Sequence, residues 1–108
     1  MDRIEEVSLA IDFIEANLTE RLNLDRIADA VHYSKYHLHR VFSDTVGLTV
    51  HEYMKRRQLT ESAKLLVFSE KPIVDIALLS GYRSQQAFTS AFTAMYKMPP
   101  NKIGRAHV

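Results

Sequence analysis

The chain contains one pattern twice, and that repeat limits its possible folds more than any other feature. The segment from Leu24 to Phe42 and the segment from Ile73 to Phe92 share it, with a single residue inserted in the second. Ile27-Ala28 corresponds to Ile76-Ala77, Tyr33 to Tyr82, Ser34 to Ser84, Leu38 to Phe88, and Phe42 to Phe92. Each copy reads as a short helix holding Ile-Ala, a turn of about four residues, and a Ser-capped amphipathic helix, which is the sequence form of a helix-turn-helix. The small alanine lets the two helices approach closely. In the second copy Gly81 supplies a positive-φ turn residue; in the first the equivalent is His32, which takes that conformation only against steric resistance.

Outside the repeat the apolar period is also helical and strand-like alternation is nowhere sustained, so the fold class is all-α, with seven helices. Ile4, Val7, Ile11, Ile14 and Leu18 form a stripe predicting a first helix from about residue 3 to 17. Asn23 caps a second, with Leu24, Ile27, Ala28 and Val31 inward and Asp25 in its first turn. Ser34 caps a third that Gly47 stops, with Leu38, Val41, Phe42 and Thr45 inward. Thr49-Val50-His51-Glu52 is a capping box opening the longest helix, about 50 to 68, with Tyr53, Leu59, Ala63, Leu66 and Val67 available for packing. Pro72 starts a fifth helix closed by Gly81. Ser84 caps a sixth through about Tyr96, with Phe88, Ala91, Phe92 and Met95 inward, and Pro99-Pro100 starts a stub ending near Gly104. Met54, Met95 and Met98, with Phe68, Phe88 and Phe92, read as core by their helical spacing. The division that follows is an N-terminal subdomain over residues 1–48, a linker helix over 49–68 and a C-terminal subdomain over 69–108.

Composition enters by exclusion. With 108 residues, 46% of them apolar, the chain can bury a core without staples. The absence of cysteine removes disulfides and thiolate metal sites and fits a reducing, cytoplasmic setting. No apolar run approaches the ~20 residues that span a bilayer, so no membrane role is expected. The formal net charge of +1 conceals an uneven distribution. Residues 1–20 hold six acids (Asp2, Glu5, Glu6, Asp12, Glu15, Glu20) against one base, Arg3. Residues 33–57 hold five bases (Lys35, Arg40, Lys55, Arg56, Arg57) against two acids, and the last 33 residues hold Arg83, Lys97, Lys102 and Arg105 with no acid. Two basic regions and one acidic end describe a molecule with one face for phosphates and another turned away from them.

The second helix of each copy carries the functional signal. With residues 38, 41, 42 and 45 inward, the outer face of the third helix collects Lys35, Tyr36, His39, Arg40 and Ser43. The matching face of the sixth collects Gln85, Gln86, Thr89, Ser90 and Thr93, and neither set contains an acid. These residue types read base edges in a major groove: Arg forks onto guanine, Gln onto adenine, Thr and Tyr reach thymine. Ser34 and Ser84, at positive helix ends and beside Lys35 and Arg83, suit backbone phosphates; Arg56 and Arg57 add to them from the long helix. That helix, roughly 18 residues at about 1.5 Å each, spans about 27 Å, comparable with the ~34 Å between successive major grooves on one side of a duplex. One monomer then reaches two adjacent grooves without a dimer, or bends the DNA at a few kcal/mol.

At these residues the chain resembles the DNA-binding domain of the AraC/XylS family of bacterial transcription regulators, especially its MarA-like branch. The carriers are Leu24-Asp25-Arg26-Ile27-Ala28, Tyr33-Ser34-Lys35-Tyr36-His37-Leu38-His39-Arg40-Val41-Phe42, Leu59-Thr60-Glu61-Ser62-Ala63, Ile76-Ala77, Gly81-Tyr82, Ser84-Gln85-Gln86-Ala87-Phe88 and Pro99-Pro100. The match runs from Ile4 to about Lys102. It implies two helix-turn-helix subdomains joined by a long helix, and promoter binding that usually activates transcription through RNA polymerase. By matching positions it implies base reading by Tyr36, His39 and Arg40 in one groove and by Gln85, Gln86, Thr89 and Ser90 in another. Ser34, Lys35, Arg56, Arg57, Arg83, Ser84 and Thr93 remain as the phosphate set.

Several features depart from the family or lie outside it. Ser90 stands where MarA-like members carry Arg and Thr93 where a Lys is common, so the second reading face is less basic than the family's. The aromatic that usually follows the closing proline pair is replaced around Ile103-Gly104, which implies a weaker terminal helix. The family normally attaches a sensor domain, which leaves two alternatives, a stand-alone regulator controlled by its abundance or a fragment whose sensor lay beyond Val108. The acidic first helix reads as a solvated face, with an activation surface against polymerase as the sharper alternative. The histidines lack carboxylate partners at ligand spacing, and no phosphate loop, nucleophile elbow or HExxH is present, so no metal, cofactor or enzymatic activity is expected. The competing function is a non-enzymatic all-α protein-interaction module.

Overall fold

In the computed structural model, which describes residues 2–103, every regular element is helical: α1 (Arg3–Ala16), α2 (Leu24–Val31), α3 (Lys35–Val46), α4 (Val50–Phe68), α5 (Ile73–Leu79) and α6 (Gln85–Tyr96), then a single 3-10 turn (Pro100–Lys102). The expected seventh helix is that one turn. Its amides reach back three residues, Lys102 N to Pro99 O at 3.1 Å and Ile103 N to Pro100 O at 3.3 Å, and Ile103 then adopts an extended backbone. The expected stop near Gly104, and Arg105 with it, lie outside the described residues.

Helix starts fall where short polar side chains can accept from an orphan amide. Asp2 Oδ1 accepts from Glu5 N and Asn23 Oδ1 from Arg26 N, both at 2.8 Å. Ser34 Oγ accepts from His37 N and Ser84 Oγ from Ala87 N, both at 3.1 Å. The capping box at α4 is complete: Glu52 N donates to Thr49 Oγ1 and Thr49 N to Glu52 Oε1, each at 3.0 Å. Pro72 precedes the first helical residue of α5 and gives it no side-chain cap.

Both copies turn the chain the same way. His32 sits at φ 63° and Gly81 at φ 88°, both left-handed. Beyond them, Tyr33 N donates to Ala28 O at 3.0 Å and Tyr82 N to Ala77 O at 3.1 Å, the six-residue closure of a Schellman motif. At the ends of α3 and α6 the residue types exchange: Gly47 is left-handed at φ 84° and Lys97 at φ 62°. Each copy thus has one glycine and one strained L-residue in its two left-handed positions.

The chain divides into two units, one of residues up to 18 and 22–55, the other of 19–21 and from 56 onward. In the first, Val7, Ala10 and Ile14 of α1 pack with Ile27, Ala28, Leu38, Val41 and Phe42, and with Val50 and Met54 of α4. In the second, Leu59 and Leu66 of α4 pack with Ile76, Ala77, Phe88 and Phe92. The helix expected to be a linker therefore contributes core residues to both units. Its later half follows α1: Leu59, Ser62 and Leu66 repeat the spacing of Val7, Ala10 and Ile14, with a small, fully buried residue in the middle. Ser62 Oγ donates to Leu59 O at 2.6 Å, so its buried hydroxyl is satisfied within the helix.

Several expected core positions lie outside the core. Ile4 is 74% exposed because the buried line of α1 runs through Val7, Ala10 and Ile14, and at 100° per residue Ile4 sits well to one side of it. Val67 and Phe68 are 45% and 86% exposed, lying successively farther around α4 from Leu66. Met95, Met98 and Thr45 are exposed as well. Thr45 and Met95 are equivalent in the two copies. The partner helices α2 and α5 have 8 and 7 residues against the 12 of α3 and α6, too short to cover the last turn.

Candidate nucleic-acid interface

In the first unit α3 turns Leu38, Val41 and Phe42 inward and leaves Tyr36, His39 and Arg40 exposed. Tyr36 is 72% exposed, which for an aromatic side chain is a substantial apolar area left to water. Arg40 borders a cleft of about 490 Å³ lined also by Asp2, Arg3, Glu6, His37, Val41 and Asp44. Ser43 departs from expectation: its Oγ is buried and has no hydrogen-bond partner among the described residues, so it leaves the outward face, on which exposed Asp44 follows Arg40 one turn on.

Ser34 leaves the amides of Lys35 and Tyr36 at the open end of α3 without partners inside the helix. Such an end favours an anion. Lys35 Nζ lies 3.2 Å from Asp25 Oδ1 on α2, and since both side chains are well exposed the pair is weak and easily exchanged for another anion. His37 belongs to the same helix but turns to α1: its Nε2 is 3.2 Å from Glu6 Oε2, and its ring is tilted against Tyr33 at 5.2 Å. Desolvation, then the charges of Glu6 and Glu5, hold the Tyr33 hydroxyl above its ordinary pKa. The tie between His37 and Glu6 joins residues 31 positions apart in the chain, and no local spacing announces it.

In the second unit α6 buries Phe88 and Phe92 and exposes Gln85, Gln86, Ser90 and Thr93, with Thr89 half-buried. Arg83 and Ser84 are exposed at its start, and the amides of Gln85 and Gln86 are open as at α3. Tyr82 packs on Phe88 at 5.7 Å, and burial pushes its hydroxyl pKa up. On α4, Arg56 is exposed while Arg57 is half-buried and reaches Glu61 Oε2 at 3.2 Å. Lys64 Nζ reaches the same oxygen at 3.0 Å, and its hydrogen bond, with that of Arg57, holds the Glu61 carboxyl below the ordinary carboxylate range against the opposing effect of burial. Arg57 is thus partly neutralised, a pairing legible in the sequence as an i,i+4 spacing. Of the candidate residues, Tyr36, His39 and Arg40 share one exposed face with Ser34 and Lys35 at its head, and Gln85, Gln86, Thr89, Ser90 and Thr93 share another with Arg83 and Ser84.

The chain that carries this construction, two Ser-capped helices exposing hydrogen-bonding faces behind matching left-handed turns, is similar to known proteins. The profile of the helix-turn-helix domain family matches residues 27–106. The HTH-type transcriptional activator AarP of Providencia stuartii is 42% identical over 95 residues, covering 88% of this chain and 70% of AarP. The chain belongs to the AraC family. A second relative, the HTH-type transcriptional regulator YbfP of Bacillus subtilis, is 39% identical over 94 residues, covering 87% of this chain but 32% of YbfP. The chain therefore spans about a third of YbfP's length. Among solved structures, an AraC-type transcriptional regulator from Chromobacterium violaceum superimposes with a TM-score of 0.86 at 29% identity, over 92% of this chain and 88% of that one. Among the described residues of this AraC-family chain no helix is long and apolar enough to cross a membrane, and no three His, Asp or Glu residues gather to hold a metal.

Proposed function

We propose that this chain binds double-stranded promoter DNA sequence-specifically and regulates transcription from it as an activator, acting in the cytoplasm and doing no chemistry of its own. The observation that carries the reading is the pair of exposed faces on α3 and α6, each capped by serine and each bearing the donors and acceptors that base edges require. Each helix enters one major groove. In the first, Arg40 forks onto a base edge, His39 donates or accepts beside it, and Tyr36 lays its ring against a thymine methyl. In the second, Gln85, Gln86, Thr89 and Ser90 read bases. Ser34, Lys35, Arg56, Arg57, Arg83, Ser84 and Thr93 meet backbone phosphates, helped by the open amides at both helix starts, and set the register. A monomer suffices, since one chain carries both reading helices.

An activator also needs a contact with RNA polymerase. The outer face of α1 supports one: Ile4 and Leu9 are exposed beside Glu5 and Ser8 around a shallow apolar groove of about 340 Å³. Apolar side chains grouped in the open beside an acid suit a protein-binding surface.

The test is selection of bound duplexes from a random pool, followed by affinity measured against salt. DNA binding predicts enrichment of one sequence and a log–log salt slope steeper than about −4. A protein-interaction module would enrich nothing and show no such slope. Arg40→Ala should lower affinity by about 1 to 3 kcal/mol and relax the preference at one base pair, and Lys35→Ala should weaken all sequences alike. An unchanged preferred sequence in Arg40→Ala would remove α3 from the reading role.

A further inference from the structure

The internal repeat lets one reading helix serve as a control for the other. Aligned through Ser34 and Ser84, Lys35 corresponds to Gln85, Tyr36 to Gln86, His39 to Thr89, Arg40 to Ser90 and Asp44 to Ala94. Every ionisable group on the exposed face of α3 thus has an uncharged counterpart on α6. The twelve residues of α6 include no cation and no carboxylate, although packing requires this at none of the exposed positions, since the equivalent helix in the first unit carries Lys35, Arg40 and Asp44 with Leu38 and Phe42 buried at the positions of Phe88 and Phe92. A surface helix without a single charge is unusual for a solvated face. Arg40 is exposed, and among the described residues it forms no ion pair, so its guanidinium fork is free.

We infer that the two helices divide the target by base type and by physical mechanism: α3 selects guanine through Arg40, and α6 selects adenine and thymine through Gln85, Gln86 and Thr89. The inference rests on the reading of both as groove helices. A guanidinium matches the two acceptors of guanine, while a carboxamide matches the acceptor and donor of adenine, and the methyl of Thr89 suits the thymine methyl. Charge-assisted hydrogen bonds are about twice as strong as neutral ones, so the first unit anchors the chain and the second discriminates. The mechanisms also differ in their response to salt. Cations release counterions from the duplex and uncharged contacts do not, so reading by α6 adds selectivity with almost no salt dependence.

The test repeats pool selection with the full chain and four variants at exposed positions, each checked for unchanged circular dichroism. The native chain should select a guanine in one half of its site, lost in Arg40→Ala together with about one unit of salt slope, and A·T pairs in the other half. Gln85→Ala and Gln86→Ala should erase the adenine preference, lower affinity several-fold and leave the slope unchanged. Ser90→Arg, which gives α6 the counterpart of Arg40, should add a guanine to the second half and steepen the slope by about one. Selection of G·C by the native chain in the half that Gln85→Ala or Gln86→Ala perturbs would overturn the division, as would a Ser90→Arg variant with an unaltered site. No enrichment of any sequence by the native chain would overturn the groove reading itself, a distinguishable result.

Discussion

The exchange of left-handed residues between the two copies predicts opposite effects of substitution at His32 and Gly81. An L-residue in the left-handed region is strained by roughly 1 to 2 kcal/mol. Glycine relieves that strain but gains unfolded-state freedom worth roughly 0.5 to 1 kcal/mol. His32→Gly should therefore stabilise the first unit by about 0.5 to 1 kcal/mol, since the exposed His32 ring has no packing to lose and its amide still donates to Asp29 O. Gly81→Ala reverses the arithmetic, and its Cβ would stand 2.9 Å from Gln58 Nε2, the end of a flexible side chain that can yield. The second unit should lose about the same amount, and Gln58→Ala should recover only the contact part. Thermal unfolding with amide exchange to locate the change measures both; 1 kcal/mol corresponds to roughly 4 to 8 °C in a domain of this size. A lowered midpoint in His32→Gly, or a raised one in Gly81→Ala, would refute the argument that turn handedness limits each copy. The site selected on DNA should stay the same in His32→Gly, because the turn already has the required geometry.

Three further outcomes are expected. Ser34→Ala and Ser84→Ala each remove a side-chain cap and should cost about 1 kcal/mol in denaturant unfolding, with a loss of DNA affinity that does not depend on sequence. Phe42→Ala empties a fully buried site that Tyr53 meets edge-on at 5.5 Å, and should cost about 3 to 5 kcal/mol, with exchange protection lost around Ile27 and Val7 before Leu66 and Phe92. The Glu61 carboxyl lies below its ordinary 4.5, so its pairing with Lys64 and Arg57 stabilises the fold above that pH and fades as pH falls through the lowered value. Unfolding free energies of Glu61→Gln and the native chain should differ slightly at neutral pH, by roughly 0.5 kcal/mol for such a water-screened pair, and converge on acidification through the lowered value.

Helix boundaries were the most legible feature, because each depends on one or two residues beside it. Asn23, Ser34, Thr49 with Glu52, and Ser84 cap the helices that the sequence reading gave them, and Gly47 and Gly81 take the left-handed backbone. Inward positions were legible where a helix crosses its partners and not at its ends. Periodicity names a face but is silent on how far along that face a neighbour extends, which is why Thr45, Val67, Phe68 and Met95 were misplaced. On the candidate interface, Tyr36, Arg40, Gln85 and Gln86 came from the sequence as the residues left over once the core face was assigned. The burial of Ser43 Oγ and the tie between His37 and Glu6 did not, since neither follows from position on a helix.

The order of amino acids alone settled that this chain is helical and that its motif occurs twice, because capping, handedness and the 3.6-residue period act within a turn or two of backbone. Only the folded arrangement decided that one helix would carry core residues for both units, that a serine would take the place of Ala10 at the heart of the second, and that His37 would turn to Glu6 on α1. Those outcomes depend on which elements meet in space, and contact between distant segments is a property of packing that no local pattern encodes.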